Sequence, residues 1–416
     1  MKAETLAQEL RDAARLVAHV AGGRSLADEG IEAPRAALLD LTHGTLRRYG
    51  RVQAIVRELS RRGEPDAAVQ ALLWCSLYAL DSGRYADYTV VDQAVRACGL
   101  MERWNAKGYV NGLLRSYLRE RGSLEAKLRD GAEAQYQHPA WWIDAVRAAY
   151  PQSWEDVLAA GNDHPPMALR VNRRKAGAEE YAERLAAAGI GTKRLGDGAL
   201  LLERPLPVER LPGFAQGEVS VQDAGAQRAA RCMDLGAGQR VLDACAAPGG
   251  KSAHVLESAD VSLTALDIDA GRCAKVATNL ERLGLSASVQ SADCTCLESW
   301  WDGVPYERIL ADVPCSSSGV ARRHPDLKWL RRASDVPAFA ARQAAILDAL
   351  WRVLAAGGKL LYVTCSVFPQ ENEELVEAFV TRAAGARRQP LADGQPAQWL
   401  PGPEHDGFYY ALIQKA

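Results

Sequence analysis

The sequence predicts a mostly parallel α/β sheet with helices on both faces over residues 219–416, preceded by an all-helical domain at 1–135 and a small α/β linker at 136–218. Two observations carry this. From 219 onward, apolar runs such as "RVLDAC", "SLTALD", "RILAD" and "KLLYVT" alternate with helical stretches, a pattern that requires right-handed crossovers between neighbouring strands. Before 135, apolar residues recur at helical spacing and strand signals are sparse.

Composition narrows the function classes. A net charge of −2 over 416 residues excludes a uniformly basic surface, so any nucleic-acid contact has to come from local Lys and Arg clusters. No apolar run approaches the roughly 18 residues of a membrane helix. The N-terminus "MKAETLAQELRDAARLVAHV" is amphipathic, and a cytoplasmic protein is expected. Nine scattered cysteines lack a C-x-x-C pair or a histidine-rich counterpart, so free thiols are expected and no metal site.

Each element has its own signal. "LAQELRDAARLVAHV" places Leu6, Leu10, Ala13, Val17 and Val20 on one helix face, and "AAVQALLWCSLYAL" repeats the period. In "YTVVDQAVRACGL", Thr89 and Asp92 can cap a helix and Gly99 can end one. The linker holds a helix in "HPAWWIDAVRAAYP", a short strand in "MALRV" and a basic edge at Arg173 that is either RNA-facing or an exposed turn. Helix "AEEYAERLAAAG" and short strands within "TKRLGDGALLLE" complete it, and "DGFYYALIQK" reads as a last antiparallel strand.

The chemistry concentrates in three loops. "VLDACAAPGGK" sets an apolar strand, Asp243 and a small-residue turn directly before a helix, whose N-terminus presents free N–H groups. Asp267 ends the next strand, 18 residues after Gly249, where a carboxylate grips a ribose diol, and Asp293 ends the third, where it can meet an adenine edge. A redox dinucleotide site would need GxGxxG, which is absent. S-adenosylmethionine, which has no pyrophosphate, fits the three strand ends better.

Two further strands each end at a cysteine, in "RILADVPCSSSG" and "LYVTCSVFPQENEE". Cytosine C5 is a poor nucleophile. A thiolate added at C6, with help at N3, makes C5 enamine-like, and a base must later remove the C5 proton so that the sulfur can leave. Cys315 and Cys365, with Asp312 three residues before the first, suit that pathway. Methylation of an exocyclic amine is the competing reading; it needs the Asp-x-Pro turn but no thiol. The run "ARRHPDLKWLRR" is either a solvated face or a phosphate-binding patch.

The motifs "DACAAPGGK", "DVPCSSSGVARRHPDLKWLRR" and "TCSVFPQENEE" resemble those of the NOP2/Sun/RsmB family of RNA cytosine-5 methyltransferases, and "LTHGTLRRYG" with "DYTVVDQAV" resembles a NusB-type RNA-binding domain. The resemblance covers nearly the whole chain. It implies a Rossmann-like class I methyltransferase domain behind the NusB-like and linker domains. It implies Cys365 as nucleophile and Cys315 as the thiol that assists release, although a "PC" cysteine attacks in DNA cytosine methyltransferases. S-adenosylmethionine contacts map to Cys245, Ala246, Ala247, Pro248, Gly249, Gly250, Lys251, Asp267, Asp293 and Asp312. RNA contacts map to Arg322, Arg323, Lys328 and Trp329, beside a flipped base, with Arg173 added from the linker. The implied substrate is 16S ribosomal RNA or a small-subunit assembly intermediate, taken by a monomer. Two departures, "DVPCS" for the commoner alanine after Asp and "PQEN" for "PEEN", remove no group the chemistry needs. A non-catalytic RNA-binding assembly factor is the third reading.

Overall fold

The computed structural model describes residues 5–29, 35–60, 63, 65–129 and 131–416. The chain falls into two compact units, one of Met1–His164 with Ala321–Ala333 and one of Pro165–Val320 with Ser334–Ala416. No helix among the described residues is long and apolar enough to cross a membrane.

The first unit is helical. Helix Leu6–Ala21 opens on a reciprocal cap, in which the Thr5 N–H donates to Gln8 Oε1 at 2.8 Å and Thr5 Oγ1 accepts from the Gln8 N–H. Its Leu10, Ala13, Val17 and Val20 are buried, as the spacing predicts, against helix Ala67–Asp81, whose Leu72, Leu73 and Leu77 are fully buried. Burying each of those leucines contributes about 1.5–3 kcal/mol. Helix Asp87–Leu100 begins before the expected caps, leaving Thr89, Asp92 and Gly99 inside it; Asp87 in its first turn complements the positive end of the helix.

The basic run after Cys315 belongs to this helical unit, and three of the expected RNA contacts in it, Arg322, Lys328 and Trp329, make bonds within the unit. Lys328 is fully buried, and its ammonium donates to Gln137 O at 3.0 Å, Asn162 Oδ1 at 2.6 Å and Arg47 O at 3.4 Å. Burial and the charges of Arg47 and Arg48 push its pKa well down. Trp329 donates its indole N–H to Leu46 O at 2.9 Å and meets Tyr49 edge-on, while Arg322 is buried and its carbonyl accepts from Arg47 at 2.9 Å. Asp326 accepts from Ser25 Oγ and the Leu26 N–H, both at 3.1 Å. The side chains of Asp326, Lys328 and Trp329 and the carbonyl of Arg322 hold the segment in place, and Lys328 and Arg322 are themselves buried.

The second unit carries two sheets. Strands β1 (Ala168–Val171), β2 (Thr192–Arg194), β3 (Leu200–Leu202) and β4 (Val219–Val221) form an antiparallel sheet in the order β2-β3-β1-β4. β4 lies past residue 218 and still pairs with β1. The larger sheet comprises β5 (Arg240–Asp243), β6 (Ser262–Asp267), β7 (Ser288–Ser291), β8 (Tyr306–Asp312), β9 (Leu354–Thr364), β10 (Ala386–Gln389), β11 (Gln398–Trp399) and β12 (Phe408–Lys415). Its order is β10-β12-β9-β8-β5-β6-β7 with β11 on β12; β5 to β9 are parallel, and the pairings of β10, β11 and β12 are antiparallel.

Strand alternation divides the core between the two faces. Ile309, Ala311, Leu360 and Tyr362 pack with helices Asp335–Val353 and Glu373–Arg382, whereas Val241, Leu310, Leu361 and Val363 pack with Gly250–Ser258 and Ala270–Leu283. The small sheet is fastened to this body by Arg170, whose buried guanidinium donates to both oxygens of Glu257 at 2.8 Å and to Gly250 O at 2.7 Å.

Two outcomes are expected. Lys328→Ala leaves three acceptors without their donor and should lower the stability of the helical unit by about 2–4 kcal/mol, read by urea unfolding of the full chain. The second concerns Asp243, buried at the end of β5. Burial raises its carboxyl from 3.8 to about 7, against the Ser252 hydroxyl donating at 2.6 Å and with help from the charge of Asp312. The native chain therefore keeps a proton that the unfolded chain releases, so stability falls as pH rises from about 4 to about 7 and is flat above. Asp243→Asn keeps the Ser252 bond and escapes that loss; its gain in urea midpoint over wild type should be larger at about pH 8 than at about pH 5.

Candidate active site

β8 and β9 run parallel with Asp312 opposite Val363, so both chains leave the sheet at the same edge. Their loops bring Cys315 Sγ and Cys365 Sγ to 3.3 Å. A seam of backbone bonds fixes the approach: the Gly319 N–H donates to Cys365 O and the Gly407 N–H to Gly319 O, both at 2.8 Å. A Cβ at Gly319 would stand 2.4 Å from the Gly407 carbonyl oxygen, so this crossing requires glycine.

The two thiols are electrostatically unequal. The bond from Cys315 draws the Cys365 thiol below its ordinary 9.0, against burial and the Asp312 carboxylate, with Ser317 Oγ at 3.7 Å and Lys251 assisting. The same bond, with burial, pushes Cys315 well above that value. Cys365 is thus the more acidic thiol of the pair and Cys315 the one that holds its proton more tightly. Beside them Lys251 Nζ lies 2.6 Å from Asp312 Oδ2; burial works against the lysine's charge, but the carboxylate outweighs it and keeps its pKa raised.

One cavity is lined by both thiols together with Asp312, Asp267, Asp293 and Cys245. It opens outside the carboxyl ends of the parallel strands, where β5 is flanked by β6 on one side and β8 on the other. Asp267 accepts from the Ala247 N–H at 3.2 Å and pairs with Arg272 at 3.3 Å; Asp293 accepts from the Thr295 N–H at 2.9 Å and hydroxyl at 2.7 Å, which lower its pKa. Two such carboxylates at successive strand ends, with Ile268 and Ile346 as apolar flanks, fit the hydroxyls, amine and ring of a nucleoside.

The expected loop 245–251 splits by task. Cys245 and Ala247 face the cavity, Ala246 packs into the core, and Gly250 O accepts from Arg170. Gly249 caps the following helix at φ +95°, where a Cβ would also press on Val276 at 3.1 Å. Lys251 points to Asp312. Sequence reasoning missed Arg272 and Arg342, which also line the cavity. Arg272 is the residue whose backbone N–H donates to the Asp269 cap of its helix, a placement that could have drawn attention to it; Arg342 lies in mid-helix with no motif around it. Of the expected RNA contacts, Arg173 is exposed and Arg323 half-buried.

Comparison with known proteins agrees with this fold. Residues 230–414 match the family model described as 16S rRNA methyltransferase RsmB/F, residues 138–209 the ferredoxin-like domain of RsmF/B-like methyltransferases, and residues 11–119 the NusB family. The ribosomal RNA small subunit methyltransferase B of Pseudomonas syringae pv. tomato is 42% identical over 399 residues, covering 92% of this chain and 89% of that protein. The protein of the same name from Pseudomonas putida is 41% identical over 425 residues, 97% of each. A solved methyltransferase homolog from Pyrococcus horikoshii, 25% identical, aligns with a TM-score of 0.60 over 68% of this chain and 97% of its own. Identity of this degree along nearly the whole length makes the chain a member of the RsmB/F family of 16S rRNA methyltransferases.

Proposed function

We propose that the protein methylates C5 of a cytosine in 16S ribosomal RNA, with S-adenosylmethionine as donor and a covalent bond between Cys365 and C6 as intermediate. The observation that carries this reading is the 3.3 Å contact of two thiols lining the same cavity as Asp267 and Asp293. Amine methylation gives no task to a second sulfur.

Asp267 and Asp293 would hold the donor's ribose and adenine, with the backbone around Cys245 and Ala247 beside them. When bound, S-adenosylmethionine supplies an electrophilic methyl group on a sulfonium. The chain's own residues then divide the work. Cys365 Sγ, as thiolate, forms a bond to C6 and pushes the ring electrons toward C5, while Asp312 takes a proton from the Lys251 ammonium 2.6 Å away and gives it to N3, where negative charge gathers. Once C5 carries the methyl group, its proton must leave, and its electron pair re-forms the C5–C6 double bond as the sulfur departs. Cys315, 3.3 Å from that sulfur, would serve this last step as thiolate base, having released its own proton to solvent water once bonding to C6 removes the negative charge of Cys365. Arg173, which is exposed, and Arg323, which is half-buried, would be the phosphate contacts of the expected set.

Cys365→Ala is expected to abolish methyl transfer to RNA, and Cys315→Ala to accumulate a protein–RNA adduct that survives denaturing electrophoresis. Methylation by both variants at the wild-type rate would overturn the thiol mechanism. Mass spectrometry finding the new methyl group on nitrogen would establish amine methylation in its place.

A further inference from the structure

The two sulfurs stand on loops fifty residues apart in the chain, and a spacing of 3.3 Å between them needs something that ties one loop to the other. Behind them lies Glu371, fully buried, at the end of the short turn Pro369–Glu371. Its Oε1 accepts from the Ser316 N–H at 2.8 Å and from Gln343 Nε2 at 3.1 Å. Its Oε2 accepts from the hydroxyls of Ser316 and Ser366, both at 2.5 Å. Ser316 and Ser366 are the residues that immediately follow the two cysteines.

We propose that Glu371 is a positioning residue of the thiol pair: its carboxylate ties the residue after Cys315 to the residue after Cys365 and thereby sets the distance between the two sulfurs. It is absent from the cavity lining and does not touch the reacting atoms. A buried carboxylate is tolerated only when its lone pairs are satisfied, and here every donor comes from an element that shapes the site. Gln343, on helix Asp335–Val353, also donates to Pro314 O at 2.9 Å, and Ser318 Oγ, 3.0 Å from Ser366 Oγ, accepts from the Val367 N–H at 2.9 Å. Tyr362, within β9, donates to Glu371 O at 2.6 Å. The network therefore reaches both loops and the covering helix through a single side chain, and one strand through the main-chain carbonyl of the same residue.

The consequence is chemical. Cys365 is acidified only while the Cys315 S–H stays within reach, so loosening the carboxylate should raise the pH at which Cys365 reacts. The charged and titratable groups facing the pair are Lys251, Asp312, Glu371 and the hydroxyl of Tyr362. Removing the charge of Glu371 at fixed geometry would act the other way, because that charge raises the Cys315 value. The direction of the change therefore distinguishes lost positioning from lost charge.

This proposal rests on the catalytic reading above, but its first test needs no RNA. Iodoacetamide labelling of Cys365 in the full-length protein, quantified on its peptide by mass spectrometry across pH, should give an upward-shifted midpoint for Glu371→Gln and a smaller upward shift for Ser366→Ala, which keeps the charge. Single-turnover methyl transfer should fall about 10- to 100-fold in Glu371→Gln while calorimetric affinity for S-adenosylmethionine is unchanged. An unchanged or lowered labelling midpoint in folded variants overturns the proposal, as does a rate loss fully explained by lost cofactor binding. Should Glu371→Gln fail to fold, Ser316→Ala and Ser366→Ala decide by the same two readouts. Wild-type protein that methylates no cytosine would sink the catalytic reading alone, and the labelling midpoints would still decide the role of Glu371.

Discussion

Two sulfurs at 3.3 Å are compatible only if one of them keeps its proton, and the surroundings of Cys315 and Cys365 enforce that inequality. The inequality begins in the sheet. β8 and β9 pair in parallel with Asp312 opposite Val363, so the third residue beyond one and the second beyond the other emerge at one edge. A one-residue slip of either strand would turn its side chains to the opposite face and part the thiols. The turns that follow are held by backbone bonds at Gly319 and Gly407, where there is no room for a side chain.

The same sheet explains why a pair of strand-end carboxylates and a thiol pair share one cavity. Their components come from different strand pairs: Asp267 and Asp293 from the ends of β6 and β7, Cys315 and Cys365 from the ends of β8 and β9. β5 lies between the two pairs, and the crossovers run in opposite directions from it. Lys251, at the start of the helix after β5, spans the junction by reaching Asp312.

Much of this was legible in the sequence because buried parallel strands write continuous apolar runs and their ends carry chemistry. The strands ending at Asp243, Asp267, Asp312 and Thr364 could be located from such runs alone, and the two cysteines followed from position. Features assembled from distant segments were not legible. A lysine inside "RRHPDLKWLRR" reads as solvated, since nothing local announces acceptors at Arg47, Gln137 and Asn162. Glu371 reads as one more acid in a polar loop until Ser316, Gln343 and Ser366 converge on it. Helix Asp87–Leu100 began early because a first-turn acid served where a capping side chain was expected.

The membership of Ala321–Ala333 in the helical unit bears on how the protein could be dissected or could have been assembled in evolution. A fragment stopping at His164 would lack Asp326, which receives Ser25 and Leu26, and the indole that rests against Tyr49. A fragment starting at Pro165 would carry Lys328 without its carbonyl socket, leaving an ammonium and an indole stripped of their partners. The two units are therefore not interchangeable beads. Recombination that swapped one would have to rewrite thirteen residues embedded in the other, which ties their inheritance together.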